Sequence, residues 1–283
     1  MIFSGQGVAM CEFCTSHGEG KKWYENATNY SAEVFHRVNS EKNVRKFLAD
    51  LGRSLREDVQ RAAKWKRRLP RIYDLFVFPL VTRHLKKIHF GQIVPVEDVE
   101  QILDRFSTVV RLPCVCRKSS TGREIRYCFG IGMDLTPVYQ DIPDMRSFER
   151  LSVAEAKAFI RQLDNEGNMH SIWTLNTPFI GGLCNCDGNC MAFRFDRQMK
   201  LGKAMWKAEY LSVIDRNFCT GCRECKKRCM FGAISYGRNS DKCVVDPAAC
   251  YGCGICRTVC DSRAIRLTER TKLAQGGSHQ VPY

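Results

Sequence analysis

The chain has 283 residues, a formal net charge of +14 and 44% hydrophobic residues. The apolar content excludes a disordered chain, and the length allows two domains with separate cores. Seventeen cysteines in a chain of this length do not fit a short disulfide scaffold and favour metal or redox chemistry in a reducing compartment. The first residues have no basic start and no sustained apolar core, so we predict a cytoplasmic protein.

The first predicted element is a basic helix over residues 41–71. Apolar residues from Val44 to Val59 recur three or four positions apart, which places them on one helical face. The same stretch contains eleven Lys or Arg and four Asp or Glu, so it holds half of the net charge. The pattern fits either a solvated basic face or a docking surface for an acidic redox protein, such as a flavoprotein, a flavodoxin or an oxidoreductase subunit. Peripheral contact with an anionic membrane is a further alternative, and no nucleic-acid partner is expected because no binding motif accompanies the charge.

The most apolar run covers residues 75–81 and is flanked by Asp74 and Arg83. A helix needs about 20 apolar residues to cross a membrane, and Pro79 would interrupt a helix here. We therefore predict no transmembrane segment. The run is expected to be a buried core segment rather than an interfacial patch.

Two more helices are predicted before residue 170. Residues 95–106 begin with Pro95 and with acidic residues in the first turn, which suits a helix N-terminus. Residues 151–163 begin with a capping box of Ser152 and Glu155 and are followed by Gly167. Few and short strands are expected in the first two hundred residues, one of them over residues 123–129, so this part is predicted to be mainly helical.

Cysteines follow each of these two helices, and two more lie near the start of the chain. They are Cys114, Cys116 and Cys128, then Cys184, Cys186 and Cys190, and finally Cys11 and Cys14. One or two further [4Fe-4S] clusters, a structural zinc site that includes Cys11 and Cys14, and free redox-active thiols are the alternatives for these eight residues. Arg117 is placed to donate hydrogen bonds to cluster sulfur, whereas His170 is expected to be structural.

Two copies of one cysteine pattern lie near the C-terminus, thirty-one residues apart. In each copy three cysteines are separated by two residues, and a fourth follows after three more. Two cubane iron–sulfur clusters use this spacing, with three thiolates from one run and the fourth from the other. We predict one [4Fe-4S] cluster on Cys219, Cys222, Cys225 and Cys260, and a second on Cys250, Cys253, Cys256 and Cys229. The remaining cysteine, Cys243, is expected to be a small core residue.

This repeat resembles the bacterial two-cluster ferredoxin family over residues 211–267. The family usually has Pro after each fourth cysteine, where this chain has Met230 and Asp261. The resemblance implies short strands near residues 234–236 and 244–245 in a two-fold arrangement around the clusters. Reduction potentials do not follow from it, because neighbouring groups and solvent access tune them.

The preceding residues resemble a helical module found beside ferredoxin domains in anaerobic bacterial iron–sulfur proteins. The resemblance covers residues 94–193 and rests on Cys-x-Cys-Arg at 114–117, Cys-Phe-Gly at 128–130, Glu-Gly-x-x-His at 166–170 and Cys-Asn-Cys at 184–186. It implies that the first domain also carries iron–sulfur chemistry.

The sequence thus predicts an α+β protein with a helical cysteine-rich domain over residues 1–210, a two-cluster ferredoxin domain over 211–270 and a tail over 271–283. We predict an electron-transfer protein, or a subunit of an oxidoreductase, that relays single electrons. The alternative is a reductase whose N-terminal cluster has an open coordination position, binds a small substrate and receives electrons from the ferredoxin domain.

Overall fold

The computed structural model describes residues 22–275 of the chain. Helices and strands are mixed along these residues, which confirms the α+β class. Cys11 and Cys14 lie outside the described residues.

A seven-stranded sheet forms the centre of the larger, N-terminal part. Its strands are β1 Gly91–Val94, β2 Thr108–Leu112, β3 Cys128–Gly130, β4 Glu149–Ser152, β5 Met169–Thr174, β6 Ile180–Cys186 and β7 Met205–Trp206. They lie in the order β4-β2-β3-β6-β5-β1-β7, and neighbours are antiparallel except for the parallel pair β1 and β7. The expectation of few strands here is wrong, and the strand expected over residues 123–129 is reduced to β3. These strands are short and several contain Gly, Cys or Asn, so their alternation is too brief to stand out in the sequence.

The α-helices of the described chain range from single turns to nearly eight turns. They are α1 Ala32–Val38, α2 Glu41–Arg68, α3 Pro70–Ile72, α4 Phe78–Ile88, α5 Val96–Leu103, α6 Val115–Thr121, α7 Thr136–Gln140, α8 Val153–Glu166, α9 Met191–Phe193, α10 Glu224–Arg228 and α11 Arg270–Gln275. The three helices predicted over residues 41–71, 95–106 and 151–163 are confirmed as α2, α5 and α8. The capping box of Ser152 and Glu155 is present, and Gly167 ends α8 in the left-handed conformation with φ 92°.

The sheet is covered by helices on both faces. Val109 and Val110 are neighbours in β2 but enter two different cores, because side chains alternate between the faces of a strand. Helices α5 and α8 supply the first core, and α1, α2 and α7 supply the second. The apolar face predicted for α2 is confirmed, since Val44, Leu48 and Val59 are buried.

Residues 210–269 form a smaller part with a core of its own. Its first strand, β8 Tyr210–Ile214, pairs in antiparallel fashion with its last strand, β11 Ile265–Glu269. Between them, β9 Ile234–Gly237 pairs with β10 Lys242–Val245. The short strands expected near residues 234–236 and 244–245 are confirmed.

Polar contacts join the two parts across α5 and α8. Arg257 contacts Glu97 of α5 through both terminal nitrogens, at 2.6 and 2.9 Å. The hydroxyl of Tyr210 donates to the carboxylate of Asp98 at 2.9 Å. These contacts fix the smaller part against the sheet domain.

The apolar run at residues 75–81 is not a buried core segment, contrary to the expectation. Leu75 and Leu80 are 67% and 66% exposed, and Phe76 between them is 60% exposed. Pro79, which was expected to interrupt a helix, lies in the first turn of α4. The hydrophobicity of the run did not reveal which of its side chains the rest of the protein covers. No helix in the described part of the chain is both long enough and apolar enough to span a membrane.

Candidate functional site

The first predicted ligand set lies around one cavity in the smaller part. Cys219, Cys222, Cys225 and Cys260 all line it, together with Ile214, Val259, Ala264 and Ile265. Cys260 lies on the second cysteine run, as the crossed assignment requires. Cys222 is exposed, so this cavity reaches the protein surface.

The second predicted set lies around a second cavity. Cys250, Cys253, Cys256 and Cys229 line it, together with Phe231, Ile234, Val245, Tyr251 and Ile255. Here the contribution from the other run is Cys229. All eight ferredoxin-type cysteines are thus sorted into two groups of four in the pairing expected from their spacing.

Two glycines allow the cysteine loops to turn tightly. Gly221 and Gly252 each precede the second cysteine of a run and have φ values of 72° and 70°. A Cβ atom at either position would lie about 2 Å from a backbone oxygen, that of Asp241 at 2.2 Å or that of Tyr210 at 2.1 Å. The two loops therefore have the same backbone conformation at this position, which only glycine adopts without strain.

Hydrogen-bond donors point at the sulfurs of both loops. The backbone N–H of Gly252 donates to Cys250 Sγ at 3.4 Å, and that of Ala233 donates to Cys229 Sγ at 3.3 Å. Burial raises the pKa of Cys256 to about 11 and raises that of Cys225 to about 12. Thiols of this kind stay protonated until a metal displaces the proton. Four sulfurs and apolar walls fit a [4Fe-4S] group in each cavity, and the two N–H donors serve sulfurs of the second set.

A third group of six cysteines converges beside the large sheet. Cys128 and Cys184 are cross-strand partners in β3 and β6, and Cys186 lies two residues after Cys184, on the same face of β6. The other three come from turns: Cys114 precedes α6, Cys116 lies in its first turn, and Cys190 precedes α9. The structure therefore brings together six of the eight cysteines predicted for this domain. The other two, Cys11 and Cys14, lie outside the described residues.

The six sulfurs form two groups of three. Cys114 Sγ lies 3.4 Å from Cys128 Sγ, and Cys128 also contacts Cys184. Cys186 Sγ lies 3.0 Å from Cys190 Sγ, and Cys190 also contacts Cys116. Hydrogen bonding and burial raise the pKa of Cys116 and Cys186, whereas the hydrogen bonds that Cys190 receives lower its pKa.

Arg117 is a cation that interacts with this six-cysteine site, since its charge acts on Cys114 and Cys190. Its guanidinium is buried, pairs with Asp187 at 3.1 Å and donates to Asn168 at 3.3 Å. Burial opposes its charge, but Asp187 and Cys114 outweigh that effect and raise the pKa of Arg117. Within residues 22–275, its Nε and Nη1 have no hydrogen-bond acceptor. Two buried donors without acceptors next to thiols fit the inorganic sulfides of a cluster.

His170 lies behind the site rather than in it. Its Nδ1 is 2.6 Å from the Asn185 side-chain oxygen, and its Nε2 is 3.4 Å from Asp164 of α8. Because Asn185 lies between Cys184 and Cys186, its side chain points to the opposite face of β6. His170 is therefore structural, as expected: it anchors the strand that carries the two cysteines.

Aromatic rings connect the six-cysteine site to the second cavity. Phe193, three residues after Cys190, lies 5.6 Å from Phe231, and Phe231 stacks on Tyr251 at 4.1 Å between ring centroids. Phe231 and Tyr251 line the second cavity. Cys186, Cys190 and Cys253 share one apolar core with these rings, so the two sites are adjacent.

Within residues 22–275, no group of three or more His, Cys, Asp or Glu side chains is arranged to hold a metal ion. This finding applies to zinc and to iron alike, so it does not distinguish the zinc alternative from the cluster alternative for the six-cysteine site.

Comparison with known proteins adds no assignment: no family model matches the chain, and no curated protein matches it.

Several side chains around the sites were not singled out from the sequence. Phe218 is 64% exposed directly before Cys219, and Ser212 Oγ lies 3.4 Å from Cys256 Sγ. Cys243 is buried in β10, as expected for a core residue, and also lines the first cavity. An apolar residue next to a predicted ligand cysteine in a polar turn was the available signal for Phe218.

Proposed function

We propose that this chain is an iron–sulfur electron-transfer protein with two [4Fe-4S] clusters in its smaller part and a further cluster at the six-cysteine site. One observation carries the proposal: eight cysteines fall into two groups of four around two cavities, and each group takes its fourth cysteine from the other run. Such clusters supply one-electron redox chemistry when bound. The residues described above hold the sulfurs, donate hydrogen bonds to them and exclude water.

The order of the sites supports a relay. The six-cysteine site adjoins the second cavity through Phe193, Phe231 and Tyr251. The first cavity adjoins the second because Cys225 and Cys229 lie on one helical turn at α10 and line different cavities. The first cavity then opens at the exposed Cys222. We infer a path from the buried six-cysteine site to the surface at Cys222.

The surface around Cys222 suits an acidic redox partner. Arg216, Arg223, Lys226 and Lys227 are exposed there, with Glu224 as the exposed carboxylate among them. Phe218 adds an exposed aromatic side chain of the type that anchors protein interfaces. Positive charge around the exposed end of a relay speeds encounter with a negative partner. Docking of such a partner on basic helix α2, near the six-cysteine site, is the competing proposal.

Metal analysis tests the cofactors. Protein purified anaerobically should contain about twelve irons and as many acid-labile sulfides per chain if three [4Fe-4S] groups are bound. About eight irons would restrict clusters to the smaller part, and clearly fewer than eight would contradict the proposal. A third cluster that binds an exogenous ligand at one iron would favour the reductase alternative, because a relay cluster is fully ligated by protein.

Charge reversal tests the docking surface. Lys226→Glu with Lys227→Glu should slow reduction by an acidic flavodoxin and weaken its dependence on ionic strength. The matched variant Lys42→Glu with Lys46→Glu changes the same charge on α2 and should have a small effect. If only the α2 variant is reduced more slowly, the docking site lies on α2 instead. If the reduction rate of the wild type does not depend on salt concentration, electrostatic docking is excluded.

A further inference from the structure

Six large apolar side chains project into solvent from one helical corner, defined here as residues 61–87. They are exposed by 46–67% and are Trp65, Leu69, Ile72, Leu75, Phe76 and Leu80. Only eight large hydrophobic side chains are exposed in residues 22–275, and six of them lie here. Single exposed apolar residues are ordinary, but a contiguous group marks an interaction site.

The inner face of the corner fixes its shape. The helix breaks at Leu69, with φ −134° and ψ 63°, and the chain then turns into α3 and α4. The buried Tyr73 donates its hydroxyl to the Leu201 carbonyl at 2.8 Å, and the Thr82 hydroxyl accepts from the backbone N–H of Lys203 at 2.9 Å. These hydrogen bonds fix the inner face of the corner against the rest of the protein. The apolar side chains on its outer face therefore remain exposed to solvent.

The same corner is strongly basic. Residues 61–87 contain nine Lys or Arg and one Asp, a net charge of +8. Arg67, Arg68 and Arg71 are exposed between the apolar side chains. Aromatic and aliphatic side chains interleaved with Lys and Arg are typical of segments that lie in a membrane interface.

A basic cavity opens beside the corner. It has a volume of about 550 Å³, and its cations are Lys66, Arg197, Lys200, Lys203 and Lys207. Its carboxylates are already engaged: Asp74 pairs with Lys66 at 2.8 Å, and Asp196 accepts from the backbone N–H groups of Ala204 and Met205. The excess positive charge suits a phosphate group.

We propose that this corner docks on an anionic phospholipid surface, with its apolar side chains at the boundary between headgroups and acyl chains and its cations on lipid phosphates. Two other occupants fit less well. A second copy would bring together two segments of charge +8, which repel. The core of a protein–protein interface is depleted in Lys, whereas Trp65 suits the membrane–water boundary.

Vesicle flotation of the full-length, cluster-loaded protein tests the proposal. It should float with phosphatidylcholine vesicles that contain phosphatidylglycerol and should not float with phosphatidylcholine alone. Leu75→Ser with Phe76→Ser should lower the partition coefficient at least about tenfold, and Arg67→Glu with Arg68→Glu should lower it similarly. The controls Phe218→Ser and Lys226→Glu with Lys227→Glu change the same chemistry elsewhere and should float like the wild type.

Three results would overturn the proposal. One is wild-type protein that does not float with the anionic vesicles, and another is an equal loss of flotation in the controls. The third is a dimer, measured by light scattering, that dissociates in the Leu75→Ser, Phe76→Ser variant. Iron content measured on every variant is independent of these results, so failure of membrane docking remains distinct from failure of the electron-transfer proposal.

Discussion

Phe231 and Tyr251 stack face to face, with ring centroids 4.1 Å apart and planes inclined by 6°. Phe231 lies two residues after Cys229, and Tyr251 directly follows Cys250. Both cysteines line the second cavity. The pair also packs against the core that contains Cys186 and Cys190. One aromatic stack thus forms a wall of the second cavity and a contact with the six-cysteine site, so its loss affects both parts of the chain.

We predict that Phe231→Ala lowers the free energy of unfolding by about 3–5 kcal/mol, because it removes a buried ring and leaves a cavity. Phe218→Ala is the matched control: this ring is 64% exposed, so the change should stay within about 0.5 kcal/mol. Urea unfolding followed by tryptophan fluorescence under anaerobic conditions measures both. Equal effects of the two substitutions would show that the stack has no structural role.

The crossed pairing of the cysteines gives a second prediction. Cys260→Ser should disturb the site that contains Cys219, and Cys229→Ser should disturb the other, with a loss of up to about four irons from that site. Cys243→Ala is the control, because Cys243 lines the first cavity without belonging to either set of four. Iron analysis and electron paramagnetic resonance of the reduced proteins distinguish the sites. A loss of iron in Cys243→Ala equal to that in Cys260→Ser would require a different ligand set.

Arg117 should raise the reduction potential of a cluster at the six-cysteine site. Its buried positive charge favours the reduced state, which carries one more negative charge, and two of its donors have no acceptor within residues 22–275. Arg117→Gln should therefore shift the potential of one cluster to a more negative value and leave the other two unchanged. Arg123→Gln, an exposed position, serves as the control in a redox titration. A shift in all three potentials would indicate a general structural change.

His89 gives a prediction about pH. It packs between Phe47 and Trp173, with ring centroids 5.1 and 4.8 Å away, and its Nδ1 lies 2.6 Å from the Thr174 carbonyl oxygen. Burial lowers its pKa to about 4, so the folded protein holds the neutral ring. The unfolded chain binds a proton near pH 6.5, and stability is therefore lost as the pH falls from about 6.5 toward 4, by about 2 kcal/mol at pH 5.

The variant His89→Asn keeps a donor for the Thr174 carbonyl but does not titrate in this range. Its free energy of unfolding should be lower than that of the wild type at pH 7, but should change less between pH 7 and pH 5. Urea unfolding at several pH values measures the two slopes. Identical slopes in the two proteins would assign the pH dependence to other groups.

Local signals predicted the helices and the two cavity-lining cysteine sets well. The capping box at Ser152 and Glu155 depends on four adjacent residues, and the loops at Gly221 and Gly252 depend on a short repeat. Neither needs information from distant parts of the chain. This is why spacing alone placed Cys260 with the first set.

The features that the sequence did not reveal depend on pairing between residues far apart in the chain. The six-cysteine site exists because Cys128 and Cys184 are opposite each other in β3 and β6, a register fixed by the whole sheet. The exposed side chains near Phe76 were assigned to the interior because they lie in the most apolar run of the chain, and hydrophobicity does not show what covers a side chain. The register of a sheet and the cover over an apolar run both depend on contacts between residues far apart in sequence.

The pairing of β8 with β11 has one further consequence. Tyr210 and Glu269 are partners in that ladder, so the smaller part leaves the rest of the chain and returns to it at the same place. A segment whose two ends lie side by side can be inserted into another protein at a single position. We therefore expect that residues 210–269 can be replaced by a similar unit with a different reduction potential, without a change in the path of the chain through the large sheet.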